Sequence, residues 1–193
     1  MPRGRDTKGE IIAVAMRMFV DRGYDKTALR EIAEEIGVTK AALYYHFRTK
    51  EEIVRAAFDE HAARVDTVVA QLEEMPAGPE RDKEVVNRLQ ELFSGDSGLA
   101  MRFGQVNPAA LAREDFGETR LAQFGQLVGV VAGGERTAES DIRALLAFGA
   151  VVLGTLGDTP GPSLLVSGSL RQKKEATRRV ALELLAGGRD AAE

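Results

Sequence analysis

Residues 27–50 read TALREIAEEIGVTKAALYYHFRTK, and the reading of this stretch decides the fold. Leu29, Ile32, Ala33 and Ile36 recur at helical spacing, and Gly37 closes the run. Val38 is an apolar residue expected to be buried, Thr39 is a good N-cap, and a short helix from Lys40 to about Phe47 follows. Two helices joined by so tight a turn make a helix-turn-helix, whose second helix lies in the major groove of DNA. The geometry requires a glycine where the chain reverses, an apolar residue just after it and small side chains where helices touch. Gly37, Val38 and Ala33 meet those needs, and Leu43 and Phe47 are placed to anchor the second helix.

The opposite face of that second helix is polar. Thr39, Lys40, Tyr44, Tyr45 and His46 offer hydroxyl, ammonium, phenol and imidazole groups suited to phosphates and base edges. Ala41 and Ala42 let the backbone approach closely, and an alanine methyl fits against a thymine methyl. Lys50 falls in the first turn of the next helix, where free N–H groups and the positive end of the helix dipole favour a phosphate.

Working outward, Thr7 followed by Glu10 has the spacing of a capping box and opens a first helix. Ile12, Ala15, Met16 and Phe19 form its apolar face, and Gly23 stops it. Thr49 with Glu52 repeats the capping pattern and opens a long helix to about Met75, where Pro76, Gly78 and Pro79 break the chain. Further helices are expected over Arg81–Phe93, Leu99–Val106, Ala109–Ala112, Phe116–Val131, Ser140–Leu156 and Ser163–Leu185, with Gly95–Gly98 a loop. No strand alternation or internal repeat is visible. The expected class is all-α: a three-helix DNA-binding domain over 1–50, a connecting helix over about 50–75, and a helical C-terminal domain within 51–193.

The segment GVTKAALYYHFRTKEEI closely resembles the signature of the TetR/AcrR family of transcriptional regulators. Residues 7 to about 60 follow that pattern, through Gly23-Tyr24, Thr27, Arg30 to Ala33, Gly37-Val38, Leu43 to Phe47 and Lys50. The resemblance implies that Thr39, Lys40 and Ala41 face bases or nearby phosphates. It implies phosphate contacts for Tyr44, His46 and Lys50, and a base or sugar contact for Tyr45. Arg30 would reach the groove from the second helix, and Thr27 would cap that helix and touch phosphate. Ala28 departs from the pattern, where many members carry Thr or Ser.

The resemblance further implies that the last two long helices form a four-helix bundle with a second copy of the chain. The residues argue the same way. Leu145, Leu146, Phe148, Val151, Val152 and Leu153 make one helix apolar almost all round, and such a helix must be covered on most faces. Ala147, Gly149, Ala150 and Gly154 allow close helix approach. A small-molecule pocket is expected among the long helix and the middle helices. Its candidate lining is His61, Met101, Phe103, Phe116, Phe124 and Leu127, with Arg102, Gln105, Asn107 and Gln123 as polar options.

Composition bounds the rest. The 193 residues carry a net charge of −4, but residues 1–50 hold 10 Lys and Arg against 7 Asp and Glu, and the remainder is acidic. A basic head on an acidic body is the asymmetry expected when only the head meets phosphates. Cysteine is absent, which excludes disulfides and thiolate metal sites. No signal peptide, transmembrane helix, metal or cofactor is expected, and the cytoplasm is the expected location. Only two histidines occur, and no nucleophile elbow, phosphate loop or metal-binding His-Glu-x-x-His stands in the chain, so an enzyme is not expected. The expected function is a regulator, by family habit a repressor, released from a palindromic operator by a small molecule. The alternative is a DNA-binding or architectural protein without an effector.

Overall fold

The computed structural model describes residues 6–112, 117–134, 136–155 and 166–190, and these are helical throughout, with no strand among them. The order is α1 (Thr7–Arg22), α2 (Leu29–Ile36), α3 (Lys40–His46), α4 (Lys50–Glu73), α5 (Pro79–Leu92), α6 (Leu99–Val106), α7 (Pro108–Ala112), α8 (Gly117–Ala132), α9 (Ala138–Thr155) and α10 (Leu170–Asp190). Gly95–Gly98, expected as a loop, forms a single 3-10 turn leading into α6. Pro79 and Pro108 each stand at the first position of a helix, where the missing N–H costs nothing.

The chain divides into two compact units, one of residues 1–63 with 95–117 and one of 64–94 with 118–193. In the first, Ile11, Ala15, Met16 and Phe19 of α1 pack with Ile32, Leu43, Ile53 and Phe103, all of them buried. The rings of Phe19, Tyr24, Phe58 and Phe103 meet edge to face, with centroids 5.1–6.3 Å apart. That is the arrangement favoured by the ring quadrupole.

In the second unit α9 lies along α10. Lys173, Thr177, Ala181 and Leu185 recur every fourth residue and are the buried positions of α10. Ala144, Ala147, Phe148, Val151 and Gly154 form the buried side of α9. Val85, Val86, Leu89 and Leu92 of α5 complete this core. Arg81 is also buried; its Nε donates to Leu72 O at 3.2 Å and its Nη2 to Val130 O at 2.5 Å. Those carbonyls sit in the last turns of α4 and α8, so one guanidinium serves the negative ends of two helix dipoles. Burial pushes its pKa below the ordinary value, which is high enough for the charge to persist.

Two caps differ from the sequence reading. Asp6, not Thr7, caps α1, its Oδ1 accepting the Gly9 N–H at 3.0 Å. The last helix starts at Leu170 within the described residues and runs past Leu185 to Asp190; the expected start at Ser163 lies outside the described residues. Its cap is Ser169, whose Oγ accepts the Gln172 N–H while Gln172 Oε1 accepts the Ser169 N–H.

A methyl group on Gly154 would fall inside contact distance of the Thr177 hydroxyl oxygen and 3.1 Å from Thr177 Cβ. The Thr177 hydroxyl is held by Lys173 O at 2.9 Å, and Cγ2 would lie 3.2 Å away, so rotating the side chain does not clear the space. Gly154→Ala should therefore destabilise the protein by about 1–3 kcal/mol through overpacking. Gly154→Ala with Thr177→Ala should recover most of that loss, measured by urea unfolding of the three proteins.

Candidate nucleic-acid interface

The reading helix is built from its turn. Gly37 takes φ 77° and ψ 29°, the left-handed conformation that ends α2. Its N–H and that of Val38 both donate to Ala33 O, each at 3.0 Å, which closes the orphan carbonyls of the helix. Val38 is half-buried rather than fully buried. Thr39 then caps α3, its Oγ1 accepting the Ala42 N–H at 3.1 Å. Leu43 is 0% exposed and Phe47 3%, so the apolar side of α3 is fixed in the core.

What remains outward is the set expected. Thr39, Lys40, Ala41 and Tyr44 are exposed, Tyr45 is 86% exposed, and His46 is half-buried. The Lys40 ammonium lies 5.4 Å from the Tyr44 ring centroid, and the Tyr45 and His46 rings meet edge to face at 5.3 Å. A large phenol held so far into solvent serves no packing purpose here. Arg30 is exposed and makes no hydrogen bond or ion pair among the described residues. Arg48, which the sequence reading passed over, is an exposed cation between α3 and α4 whose backbone N–H is taken by Glu52 at 2.6 Å.

Thr27 and Lys50 are placed differently from expectation. Thr27 is 2% exposed, and its hydroxyl donates to Gly23 O at 2.9 Å. It therefore has no outward group for a phosphate, and it is not the cap. Ala28 stands at that position, its N–H donating to Glu31 Oε2 at 2.7 Å. The Lys50 ammonium donates to Tyr24 O at 2.6 Å and lies 4.3 Å from the Tyr24 ring centroid. The charge expected at a phosphate is spent first on holding the turn after α1.

Tyr24 is the centre of that hold. Its carbonyl accepts from Lys50 and from the Thr27 N–H at 3.3 Å, and its N–H donates to Asn107 Oδ1 at 3.0 Å. Asn107 Nδ2 in turn donates to Phe19 O at 3.1 Å, closing the end of α1. The Tyr24 hydroxyl donates to Glu51 Oε1 at 2.7 Å. That bond, with the helix-start N–H of Glu51 itself and the nearby Lys50 charge, holds the carboxyl below its ordinary pKa. Neither Tyr24 nor Asn107 was identified as a support of the interface. The only signal was Asn107 standing before Pro108, at a helix end.

The residues expected to line one pocket are divided between the two units. His61, Met101, Arg102, Phe103 and Gln105 belong to the first unit, and Gln123, Phe124 and Leu127 to the second. Phe103 is 1% exposed inside the aromatic cluster, and Arg102 Nη2 donates to Gly95 O at 2.6 Å. Leu127 is buried, whereas Phe124 is partly exposed and meets Phe148 edge to face at 5.1 Å. Phe116 lies outside the described residues. Two concavities of the second unit have quite different walls. A cleft of about 850 Å³ lies between α5 and α10, and a smaller one of about 260 Å³ lies around Arg81. No group of His, Asp or Glu among the described residues is placed to hold a metal, and no described helix is long and apolar enough to cross a membrane.

Asn107→Ala would orphan Phe19 O and the Tyr24 N–H at once. The expected loss is about 1–3 kcal/mol in urea unfolding. Asn107→Asp keeps the acceptor and loses only the donor, so it should fall between the two.

Comparison with known proteins gives the following. Residues 11–57 match the family model for bacterial regulatory proteins of the tetR family. The HTH-type transcriptional regulator TtgR of Pseudomonas putida is 46% identical over 55 residues, which is 28% of this chain and 26% of that one. The match thus spans about a quarter of that relative's length. The ketosteroid transcriptional regulator KstR2 of Mycobacterium tuberculosis superposes with a TM-score of 0.70 at 19% identity, over 94% of this chain and 95% of that one. AibR, solved with isovaleryl coenzyme A and operator DNA, gives 0.61 at 20% identity, over 90% and 96%. At such identities the structural likeness establishes the fold.

Proposed function

We propose that the chain, whose residues 11–57 match the model for bacterial regulatory proteins of the tetR family, is a repressor that binds operator DNA as a homodimer and is released by a small molecule. One observation carries the reading. α3 is pinned by Leu43 and Phe47 at 0% and 3% exposure while Thr39, Lys40, Ala41, Tyr44 and Tyr45 stand out in solvent. A short helix so anchored presents a rigid polar face of the width that the major groove admits. Lys40, Arg30 and Arg48 supply cations beside that face, on the basic end of an otherwise acidic chain. A DNA partner places the site of action in the cytoplasm.

The homodimer follows from α9. Ile142, Leu145 and Leu146 are exposed at 56%, 42% and 56%, and with Gly149 they form a stripe at i, i+3, i+4 and i+7. Val180 of α10 adds a further exposed apolar side chain. A stripe of this kind favours burial against a second copy of itself, and a two-fold dimer then sets two reading helices on two half-sites.

Selection of bound sequences from random DNA should return a palindrome with half-sites about one helical turn apart, or a multiple of it. Arg30→Ala should weaken binding to all sequences alike and lower the salt slope by about one unit. Thr39 and Lys40 substitutions should shift base preference at one or two positions per half-site. Retention of no sequence above background would refute the reading.

Release by a ligand rests on α4, one continuous helix whose residues 50–63 belong to the first unit and 64–73 to the second. A ligand that prefers a different spacing of the two heads must lower DNA affinity, and DNA must lower ligand affinity by the same factor. Reciprocal titration with an effector found by thermal shift should show a coupling of roughly 5–150-fold in both directions. Equal ligand affinity for free and operator-bound protein would refute release.

A further inference from the structure

We propose that the cleft between α5 and α10 is a binding site for a small metabolite carrying two or more acidic groups, carboxylate or phosphate. The proposal stands independently of the DNA-binding reading.

The cleft is an open groove of about 850 Å³, room enough for a small metabolite. Its two walls are tied by Arg178 Nη1 donating to Asn87 Oδ1 and by Gln90 Nε2 donating to Lys174 O at 3.5 Å. The α10 wall presents Arg171, Lys174 and Arg178 at positions i, i+3 and i+7. With 1.5 Å rise per residue they form a row of cations about 10 Å long on one side of the helix. Arg171 and Lys174 have no carboxylate partner among the described residues.

The α5 wall explains why a ligand, rather than the protein, would neutralise that row. Its Arg88 already takes both local carboxylates, Glu84 Oε1 at 2.8 Å and Glu91 Oε2 at 3.3 Å. With those acids engaged along their own helix, α5 offers the cleft neutral hydrogen-bonding groups from Asn87, Gln90 and Ser94. Arg and Lys recognise carboxylate and phosphate, and neutral amides and hydroxyls fix the orientation of what they hold. Glu175, on the α10 wall, repels an anion, but the cleft still holds four cations against three carboxylates, so a ligand needs more than one negative charge to be held firmly. That balance is positive in a body whose residues beyond 50 are acidic overall.

Val180, the α10 residue assigned to the proposed dimer, follows Arg178 by two residues, which is about 200° round the helix, so it faces away from the cleft cations.

The test is isothermal titration of the full chain at low ionic strength with pyrophosphate, citrate and, as a monoanion, acetate. Pyrophosphate or citrate should bind with a Kd below about 1 mM and acetate should not. R171E/K174E should weaken that binding at least about tenfold. R179E, which reverses an exposed charge outside the cleft, should leave it unchanged, and thermal unfolding should show all variants folded. Preference for pyrophosphate identifies a phosphate ligand and preference for citrate a carboxylate. The proposal is overturned by absence of binding for both polyanions, by acetate binding as well as they do, by R171E/K174E binding as the parent does, or by R179E losing as much as R171E/K174E.

Discussion

The carbonyl and N–H of Tyr24 are where the helix-turn-helix end of the molecule is held together. The carbonyl takes Lys50 Nζ and the Thr27 N–H, and the N–H gives to Asn107. Through those bonds the end of α1, the start of α2, the start of α4 and the end of α6 share one residue's backbone. The main-chain groups of Tyr24 and Thr27 are sheltered from water, Tyr24 being 5% exposed and Thr27 2%. Removing a partner leaves a buried dipole unpaired, which costs more than the bond itself contributes. The position of α3 follows from that closure. α3 packs by only Leu43 and the flanking Phe47, so its direction is set by the helices on either side rather than by its own short length.

The helices of residues 7–63 were largely legible in the sequence because their signals are local; that residues 95–117 group with them was not. Gly37, Val38 and Thr39 mark the turn, and a turn is a property of four consecutive residues. Thr49 and Glu52 gave the start of α4: the Glu52 N–H donates to Thr49 Oγ1 at 3.2 Å, although the Glu52 carboxylate accepts the Arg48 N–H. The errors in this region have the same origin. Asp6 displaced Thr7 as the cap of α1 because either residue can start a helix and only the packed position of Ile11 and Ile12 decides between them. Thr27 matched a motif for capping, but its side chain points into the core, where Gly23 O and Met18 O await it.

Pocket and core look alike in the sequence, and the reason is distance along the chain. Met101 and Phe103 read as apolar residues of a middle helix, which is true of pocket and core alike. Only the ring contacts with Phe19, Tyr24 and Phe58 show that Phe103 is core. The cleft between α5 and α10 escaped for the opposite reason. Arg171, Lys174 and Arg178 look like a solvated helix face until Asn87 and Gln90, more than 80 residues earlier, are set against them. Arg81 likewise reads as a surface charge after a proline break, and only the carbonyls of Leu72 and Val130 reveal it as a buried fastening.

Lys50, half-buried, and Arg81, buried, do the same physical work in separate units. Each satisfies main-chain carbonyls that a helix end or turn would otherwise leave bare, and each sets a positive charge at the negative end of a peptide dipole. A neutral side chain of equal length would fill the space and leave the carbonyls desolvated. A free carboxylate beside either cation would compete for it and loosen the backbone. At Lys50 the neighbouring acid, Glu51, is instead held by the Tyr24 hydroxyl at 2.7 Å, which keeps it in place without taking the ammonium from the carbonyl. The tyrosine thus serves both ions, with its hydroxyl for the acid and its carbonyl and ring for the base. A phenylalanine there would keep the packing and lose the separation of the two.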